Sequence, residues 1–320
     1  MKYNKLGRSG LKVSELSFGS WLTFGSSLDV KAASACMRRA FELGVNFFDN
    51  AEVYGNGRSE EVMGAALREF RREDLVISTK IFWGGEGPND TGCSWKHLVE
   101  GTKNSLKRLD LEYVDLLFCH RPDPTTPIEE TVRAMDHIIK RGWAFYWGTS
   151  EWSADEIETA YRIAERYNCI PPTMEQPQYS LLARRRVEHE YRPLFERYGL
   201  GTTTWSPLAS GILTGKYNQG IPPETRLAAQ GWLRERLNGD KIGVAHNVGE
   251  LAREIGCTTA QLAIGWCLKN PHVSTVILGA TSVAQLEENL GAMRVAELIT
   301  PEVKARLDAI SREFAEEPGD

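Results

Sequence analysis

The sequence predicts a closed, parallel (β/α)8 barrel of the TIM type, and three observations lead to that prediction. The chain has 320 residues, which is long for an ordinary domain but normal for a barrel built around one core. Short apolar segments alternate with segments of helical periodicity along most of the chain. We find no linker or low-complexity stretch, so we expect residues 1–320 to form a single domain. An open doubly wound sheet is the competing architecture, but so many strands would require a second domain.

The predicted elements follow one another in a regular order after a short hairpin. Two short segments surround the turn residues Gly7-Arg8-Ser9-Gly10 between Tyr3 and Ser14, as is typical of a β-hairpin. The predicted barrel strands are 16–19, 45–49, 75–79, 113–119, 144–148, 173–176, 202–205 and 274–278. The predicted helices lie near 30–43, 59–70, 94–109, 128–141, 154–167, 187–198, 259–269 and 282–290, and another helix begins at Pro301.

Several helix starts carry capping patterns. Ser153 with Glu156, and Thr258 with Gln261, have the spacing of capping boxes. Thr126-Pro127 places a threonine at the cap position before a proline at the first helical position.

The longest departure from the alternation runs from about Leu208 to Ile242. It contains Gly211, Gly215 and Gly220, followed by two prolines. Because long loops inside compact domains usually have a function, we expect a functional loop here together with an extra helix.

The composition excludes several classes of protein. The net charge of −5 predicts no binding to nucleic acid or to an anionic membrane surface. No apolar run approaches the about 18 residues that span a bilayer, and the first residues do not resemble a signal peptide. The six cysteines lack C-x-x-C spacing, so we expect reduced thiols and a cytoplasmic location. The six histidines are scattered, so no metal site is expected, and the absence of G-x-G-x-x-G after the first strand excludes a Rossmann site.

Chemically active side chains follow three successive predicted strands. Asp49, Lys80 and His120 each stand at the end of one of these apolar segments, and Tyr54 lies on the loop after Asp49. In a parallel barrel the carboxyl ends of the strands share one face, which is where active sites lie. Each residue alone could be an ordinary rim residue, but the four together predict a site.

These four residue types suit an acid catalyst. A phenol has a pKa near 10, and an adjacent ammonium group stabilises its phenolate form and so lowers that pKa. Asp49 can hold Lys80, while His120 can orient a carbonyl oxygen. The set therefore predicts protonation of a carbonyl oxygen as a hydride reaches the carbon.

Longer stretches around these residues support a family resemblance. They are Gly19-Ser20-Trp21, Lys80-Ile81-Phe82-Trp83-Gly84-Gly85, Arg121-Pro122-Asp123, Tyr146-Trp147-Gly148-Thr149-Ser150, Trp205-Ser206-Pro207-Leu208-Ala209, Gly215-Lys216-Tyr217 and Leu278-Gly279-Ala280. With them the chain resembles the aldo-keto reductase superfamily. Within it, the segments at 146–150 and 205–209 resemble the β subunits of voltage-gated potassium channels and their plant and microbial relatives.

The resemblance implies a catalytic tetrad of Asp49, Tyr54, Lys80 and His120, and NADPH or NADP+ lying across the barrel mouth. The implied cofactor loop is about 206–242. The implied cofactor contacts are Ser20, Trp21, Asp49, Ser150, Gln176, Trp205, Ser206, Pro207, Leu208, Ala209, Ser210, Lys216, Arg226, Gly279, Thr281, Gln285, Glu288 and Asn289.

Within that set, Ser150 and Gln176 would hold the carboxamide, and the nicotinamide ring would rest near Trp205. Lys216 and Arg226 provide positive charge for a 2′-phosphate, which favours NADP over NAD. Residues 279–282 join the last strand to a helix start, a usual phosphate position in barrels. A plain capping box explains Ser282 and Gln285 equally well, and Arg226 alone is more typical of a solvated loop charge.

Three aromatic residues, Trp21, Phe82 and Trp83, are expected to line the substrate pocket and to favour bulky or aromatic aldehydes. Packing of these rings under the cofactor loop is the alternative.

Two positions bear on the resemblance to the channel branch. Animal channel β subunits often have asparagine where this chain has His120, so the histidine favours catalysis. Those subunits have arginine where this chain has Glu151, which leaves one cofactor contact open.

Two functions are compatible with these features. The first is an oxidoreductase acting on CH–OH donors that reduces a small aldehyde or ketone to an alcohol with NADPH. The second is a cytoplasmic regulatory subunit that binds a potassium channel α subunit and uses NADPH as a redox sensor. The intact tetrad favours the first. By the same resemblance we expect a homotetramer.

Overall fold

Ten strands form a small hairpin and a closed barrel in the computed structural model, which describes residues 1–21, 23–25, 28–223, 225, 228, 231 and 237–316. The hairpin strands are Tyr3–Lys5 (β1) and Lys12–Ser14 (β2), which pair antiparallel. The barrel strands are Leu16–Gly19 (β3), Phe47–Asp49 (β4), Val76–Ile81 (β5), Val114–Cys119 (β6), Ala144–Ser150 (β7), Met174–Gln176 (β8), Gly201–Thr204 (β9) and Thr275–Leu278 (β10). The barrel strands pair in parallel, and β10 closes the ring between β9 and β3. The predicted (β/α)8 barrel with its N-terminal hairpin is confirmed.

The helices surround the barrel and follow most of the strands. They are Val30–Glu42 (α1), Arg58–Leu67 (α2), Trp95–Leu109 (α3), Ile128–Lys140 (α4), Ala154–Tyr167 (α5), Arg192–Tyr198 (α6), Gly239–Ile255 (α7), Thr259–Leu268 (α8), Val283–Leu290 (α9), Ala292–Leu298 (α10), Pro301–Ile310 (α11) and Glu313–Glu316 (α12). Shorter helical turns lie at Arg72–Asp74 (3-10), Arg186–Glu190 (π) and Ala209–Thr214 (3-10).

Two of the predicted caps have the expected hydrogen bonds, and one does not. The capping boxes of α5 and α8, at Ser153 and Thr258, both form. The prediction that Thr126 caps α4 is wrong, because the helix begins at Ile128 without a side-chain cap. The Thr126 hydroxyl instead donates to the Asp123 carboxylate at 2.7 Å.

The hairpin closes the amino-terminal end of the barrel. Leu6 and Val13 are fully buried and belong to one apolar cluster with side chains of the barrel interior such as Phe47 and Phe118. The Asn4 amide donates to the backbone oxygen of Ser274, just before β10. Because apolar side chains fill this end, the polar interior of the barrel lies at the other end, where the strands stop.

Candidate active site

Lys80 is the centre of a hydrogen-bonded group at the carboxyl ends of β4 and β5. The side chain is fully buried, and its Nζ contacts three oxygens. These are Asp49 Oδ2 at 2.6 Å, the backbone oxygen of Asn50 at 2.7 Å and the Tyr54 hydroxyl at 3.1 Å. Three partners match the three donors of an ammonium group, so the charged form is fully bonded.

The second oxygen of the Asp49 carboxylate has its own donors. Asp49 Oδ1 accepts from the Ser78 hydroxyl at 2.7 Å and from the Gln176 amide at 3.1 Å. Gln176 is fixed in turn by a bond of 3.2 Å to the Thr203 hydroxyl. Residues from three other barrel strands, β5, β8 and β9, therefore hold the Asp49 carboxylate in place, and this carboxylate holds Lys80.

Burial and charge oppose each other at Tyr54 and at Lys80. Burial raises the pKa of the Tyr54 phenol, and the nearby Lys80 charge offsets only part of that rise. The lysine therefore acts in the direction expected from the sequence, but the pKa of the phenol is raised on balance. Burial lowers the pKa of Lys80, but Asp49 and Tyr54 outweigh it and the net shift is upward. At neutral pH the structure holds a protonated phenol next to an ammonium group.

His120 is buried beside the Tyr54 phenol, and its imidazole is neutral. Burial lowers the pKa of the imidazole well below its ordinary value, and the charges of Lys80 and Arg121 lower it further. Its ring centroid lies 5.8 Å from that of Tyr54 and 5.1 Å from that of Trp83. Nδ1 is buried and has no hydrogen-bond partner in the described part of the chain. A neutral imidazole can donate a hydrogen bond to a carbonyl oxygen without adding charge.

A groove of about 1000 Å3 runs over this group across the carboxyl end of the barrel. Most of the side chains singled out from the sequence line it. They are Trp21, Asp49, Tyr54, Trp83, His120, Ser150, Gln176, Trp205, Ser206, Pro207, Leu208, Ser210, Lys216, Gly279, Thr281, Gln285 and Asn289. The lining includes both the Tyr54 side chain and residues at the start of α9, Thr281 and Gln285. One ligand in the groove could therefore contact both the tetrad and α9.

Some of the predicted residues lie elsewhere. Lys80 is buried beneath Tyr54, and Ser20 is buried with its hydroxyl donating to the Asp49 backbone oxygen at 3.0 Å. Ala209 is buried in the 3-10 turn, and Glu288 is exposed on α9. Phe82 packs edge-to-face on Trp83, with ring centroids 4.7 Å apart, and does not line the groove. Arg226 lies outside the described residues.

The groove also contains residues that the sequence reasoning did not select. They include Gly19, Glu52, Val53, Asn56, Glu86, Arg121, Gln178, Gly211 and Thr214. Two signals for Arg121 were available in the sequence, because it directly follows His120 and begins one of the segments that carry the family resemblance. Gly211 has a conformational role, because its φ is +92° and a Cβ there would approach Lys216 Nζ to 2.9 Å.

The segment after β9 turns sharply over the groove. Ser206, Ala209 and Ser210 all have positive φ, at 57°, 47° and 59°. Left-handed conformations at residues other than glycine are costly and cluster at ligand-binding sites. The Ser206 hydroxyl accepts from the Ser210 amide at 3.3 Å, which stabilises the turn. Lys216 follows this segment and also lines the groove.

The start of α9 also lines the groove. The Ser282 hydroxyl accepts from the Gln285 amide at 3.2 Å, whereas the Gln285 side chain accepts from the Thr281 amide at 2.8 Å. The reciprocal bond of a capping box at Ser282 is therefore replaced by one to Thr281. A Cβ at Gly279 would meet no atom within 4 Å, so the backbone there faces open space. A helix start with open backbone, in a groove that Lys216 also lines, suits a phosphate group.

Glu151 turns away from the groove and supports Trp205. It has a φ of 60°, and its Oε1 accepts from the Trp205 indole at 2.9 Å and from the Gln178 amide at 2.6 Å. Its Oε2 accepts from Arg186 at 2.6 Å. The carboxylate is thus fully engaged in fixing neighbouring groups.

Two features are absent from the described residues. No group of three or more His, Cys, Asp or Glu side chains with metal-binding geometry occurs within the described ranges. In the same part of the chain, every helix is too short or too polar to cross a bilayer.

Comparison with known proteins agrees with this geometry. The model of the Aldo/keto reductase family matches residues 15–312. A protein of Arabidopsis thaliana named "Probable voltage-gated potassium channel subunit beta" is 55% identical over 324 residues, with 99% of both chains covered. A protein of the same name from Oryza sativa subsp. japonica is 55% identical, covering 97% of this chain and 96% of the relative. A "Putative voltage-gated potassium channel subunit beta" of Schizosaccharomyces pombe is 50% identical, covering 95% and 92%. The chain therefore belongs to the aldo/keto reductase family, a family of oxidoreductases that generally use NADH or NADPH.

Proposed function

We propose that the protein reduces aldehydes or ketones to alcohols with NADPH. The observation that carries the proposal is the hydrogen-bonded sequence Asp49–Lys80–Tyr54, which ends with the phenol in the groove beside a neutral His120. A protonated phenol, a fixed ammonium group and a neutral imidazole are the groups that a carbonyl oxygen needs while it gains a proton.

The residues along the groove fit a dinucleotide. Ser150 and Gln176 offer polar side chains beside the tetrad, Trp205 offers a flat ring, and the segment from Ser206 to Ser210 offers backbone amides. Lys216 and the start of α9 offer positive potential for phosphates. When bound, the reduced nicotinamide supplies a hydride to the carbonyl carbon.

The protein's own residues donate the proton to the carbonyl oxygen and stabilise the phenolate that remains. Tyr54 donates the proton of its hydroxyl to the carbonyl oxygen, and the resulting phenolate is stabilised by the Lys80 ammonium group 3.1 Å away. Asp49 keeps Lys80 charged and in place. Neutral His120 donates a hydrogen bond to the same carbonyl oxygen and so fixes the orientation of the substrate. The carbonyl thus gains one hydride and one proton, and the phenolate regains its proton from water.

A second candidate function follows from the names of the relatives. All three are named as potassium channel β subunits. We propose as the alternative that this protein is a cytoplasmic, tetrameric subunit that binds a channel α subunit. Co-purification with a channel from native membranes, and a tetramer in light scattering, would support it.

The test of the enzymatic function combines binding with turnover. NADPH and NADH are titrated by fluorescence, and oxidation of each is followed with a panel of aldehydes. We expect tighter binding of NADPH and turnover of at least one aldehyde. Lys216→Met should reduce the preference for NADPH, because a positive charge facing the 2′-phosphate is lost. Binding of NADPH without turnover of any aldehyde would instead favour the regulatory subunit.

A further inference from the structure

Arg121 places a second cation in the groove, directly after His120. The side chain is partly buried, and its Nη1 donates to the His120 backbone oxygen at 2.5 Å and to the Ser150 hydroxyl at 3.2 Å. Its guanidinium carbon lies 5.7 Å from the centre of the Trp83 ring. Burial raises the pKa of Tyr54, and the charge of Arg121 is close enough to counteract that rise. Arg121 therefore lies within electrostatic range of the phenol that donates the proton.

The guanidinium has no carboxylate partner among the residues that the structure describes. Asp123, two positions along, has its oxygens occupied by the side chains of Thr125 and Thr126 and by the Cys93 amide. Those hydrogen bonds outweigh the effect of burial and lower the pKa of the Asp123 carboxyl to about 2, so it stays ionised and bound in that turn.

The acidic side chains that line the groove are also either bonded to other partners or exposed at the rim. Asp49 is paired with Lys80, and Glu52 accepts from the Phe82 amide at 2.7 Å and contacts His97 at 3.1 Å. Glu86 is exposed at the rim. A guanidinium has five donors, and only Nη1 of Arg121 is used by the described residues, so its other donors are available on a groove-lining side chain.

We propose that Arg121 binds an anionic group of the substrate, so that the preferred substrates are aldehydes or ketones that carry a carboxylate. The planar guanidinium matches a carboxylate, and the Trp83 ring beside it offers a flat apolar surface for the carbon chain or ring of the same molecule. This inference rests on the proposed carbonyl reduction and adds its substrate class.

Arg121 has one alternative role, and the experiment must distinguish it from binding of a substrate carboxylate. Its bond to Ser150 could serve only to orient that hydroxyl for the cofactor. In that case removal of the guanidinium would weaken NADPH binding and would lower turnover of charged and neutral aldehydes equally.

The experiment compares 4-formylbenzoate with its neutral methyl ester. The parent protein, Arg121→Met and Arg121→Lys are assayed for kcat/KM on both aldehydes, with NADPH binding measured by fluorescence and folding by circular dichroism. Arg68→Met, which removes an exposed arginine paired with Asp110, is the matched control. We expect the parent to prefer the acid by about ten- to hundredfold, the range for a hydrogen bond to a charged group. Arg121→Met should bring the ratio near one, Arg121→Lys should keep part of the preference, and the control should keep all of it.

If the aldehydes are reduced, two results would overturn the inference. One is an equal kcat/KM for acid and ester in the parent, and the other is an acid-to-ester ratio that does not change in Arg121→Met.

If neither aldehyde is reduced, the proposed reductase function fails, and ligand binding then tests the role of Arg121. For that purpose 4-(hydroxymethyl)benzoate and its methyl ester are titrated by quenching of tryptophan fluorescence. The inference is supported if the parent binds the acid more tightly than the ester and if Arg121→Met abolishes that difference. Equal binding of acid and ester by the parent overturns it.

Discussion

Lys80 and His120 are buried and Tyr54 is half-buried, and the loss of contact with water shifts the pKa of each residue in a direction set by the charge of its ionised form. For Tyr54 it raises the pKa, and for His120 it lowers the pKa. Lys80 remains charged because Asp49 and Tyr54 outweigh the burial. The three groups therefore keep one protonation pattern over a broad range of pH.

We expect the rate of carbonyl reduction to be nearly independent of pH from about 6 to 9. The phenol stays protonated until the pH exceeds its raised pKa, which lies above the ordinary value of 10.0. The imidazole stays neutral down to its lowered pKa, which lies well below 6.5. A profile of kcat against pH measures this directly. An inflection near pH 6.5 would contradict the neutral state of His120.

The location of a single residue was predictable from the sequence where that residue stands at the end of a strand. Asp49, Lys80 and His120 follow apolar strands, so the sequence determines which face of the barrel they share. The contacts of Arg121 and Glu151 depend instead on local loop conformation, such as the φ of 60° at Glu151. No periodicity in the sequence predicts that angle, so neither contact could be foreseen.

At the scale of elements, the strands were predicted better than some of the helices. Helices α8, α9 and α11 begin within one residue of their predicted starts, whereas α7 extends beyond the extra helix expected within 208–242 and α10 was not predicted. The strand bounds agree within two residues because each buried strand is a short, apolar run. Helix α7 contains Gly239, Gly243 and Gly249, which are poor helix formers and merge with the loop before it. The predicted helix 187–198 is broken into a π turn and α6, since Pro193 has no amide hydrogen to continue the helix.

Glu151 connects the end of β7 to Trp205, just after β9, and this connection can be tested. Glu151→Ala removes the acceptor for the Trp205 indole and leaves Arg186 without that carboxylate. We expect NADPH affinity to fall about five- to tenfold, the order expected for one hydrogen bond or slightly more. Tryptophan emission should change in the same variant.

Two controls accompany that substitution. Glu151→Gln keeps an acceptor for the indole and should restore most of the affinity, while the exposed Glu165→Ala should leave it unchanged. If Glu151→Ala binds NADPH as tightly as the parent, Trp205 does not need this support.

At the scale of the whole molecule, closure of the barrel concentrates polar interior groups at one end. Leu6 and Val13 of the hairpin fill the amino-terminal end, and the tetrad occupies the other. The place of the tetrad at the carboxyl ends of the strands was predicted from the sequence, whereas the filling of the opposite end by the hairpin was not. A single domain over residues 1–320 and a tetramer stay predictions.

Glu175 should make the stability of the barrel depend on pH. It is fully buried on β8, and burial raises its pKa from 4.5 to about 8. Thr149 donates to one of its oxygens at 2.5 Å, and the other has no partner in the described residues. The folded protein thus holds a proton that the unfolded chain releases above pH 4.5. The free energy of unfolding should therefore fall as pH rises from about 4.5 to 8 and then level off.

Glu175→Gln removes that titration and keeps an oxygen for Thr149. We expect the variant to lose less thermal stability than the parent between pH 6 and 8, as measured by Tm at both pH values. The exposed Glu165→Gln serves as the control and should follow the parent. Parallel curves for Glu175→Gln and the parent would show that Glu175 is already ionised in the folded protein at pH 6.

The central claim is that Tyr54 supplies the proton while the rest of the groove holds the cofactor. The most direct measurement is single-turnover oxidation of bound NADPH by an aldehyde in Tyr54→Phe, beside the parent and Tyr113→Phe, a matched change at the amino-terminal side of β6. We predict that Tyr54→Phe slows the step by at least about a hundredfold, with nearly unchanged NADPH affinity, and that Tyr113→Phe behaves like the parent. A Tyr54→Phe protein that oxidises NADPH at the parent rate would contradict the account.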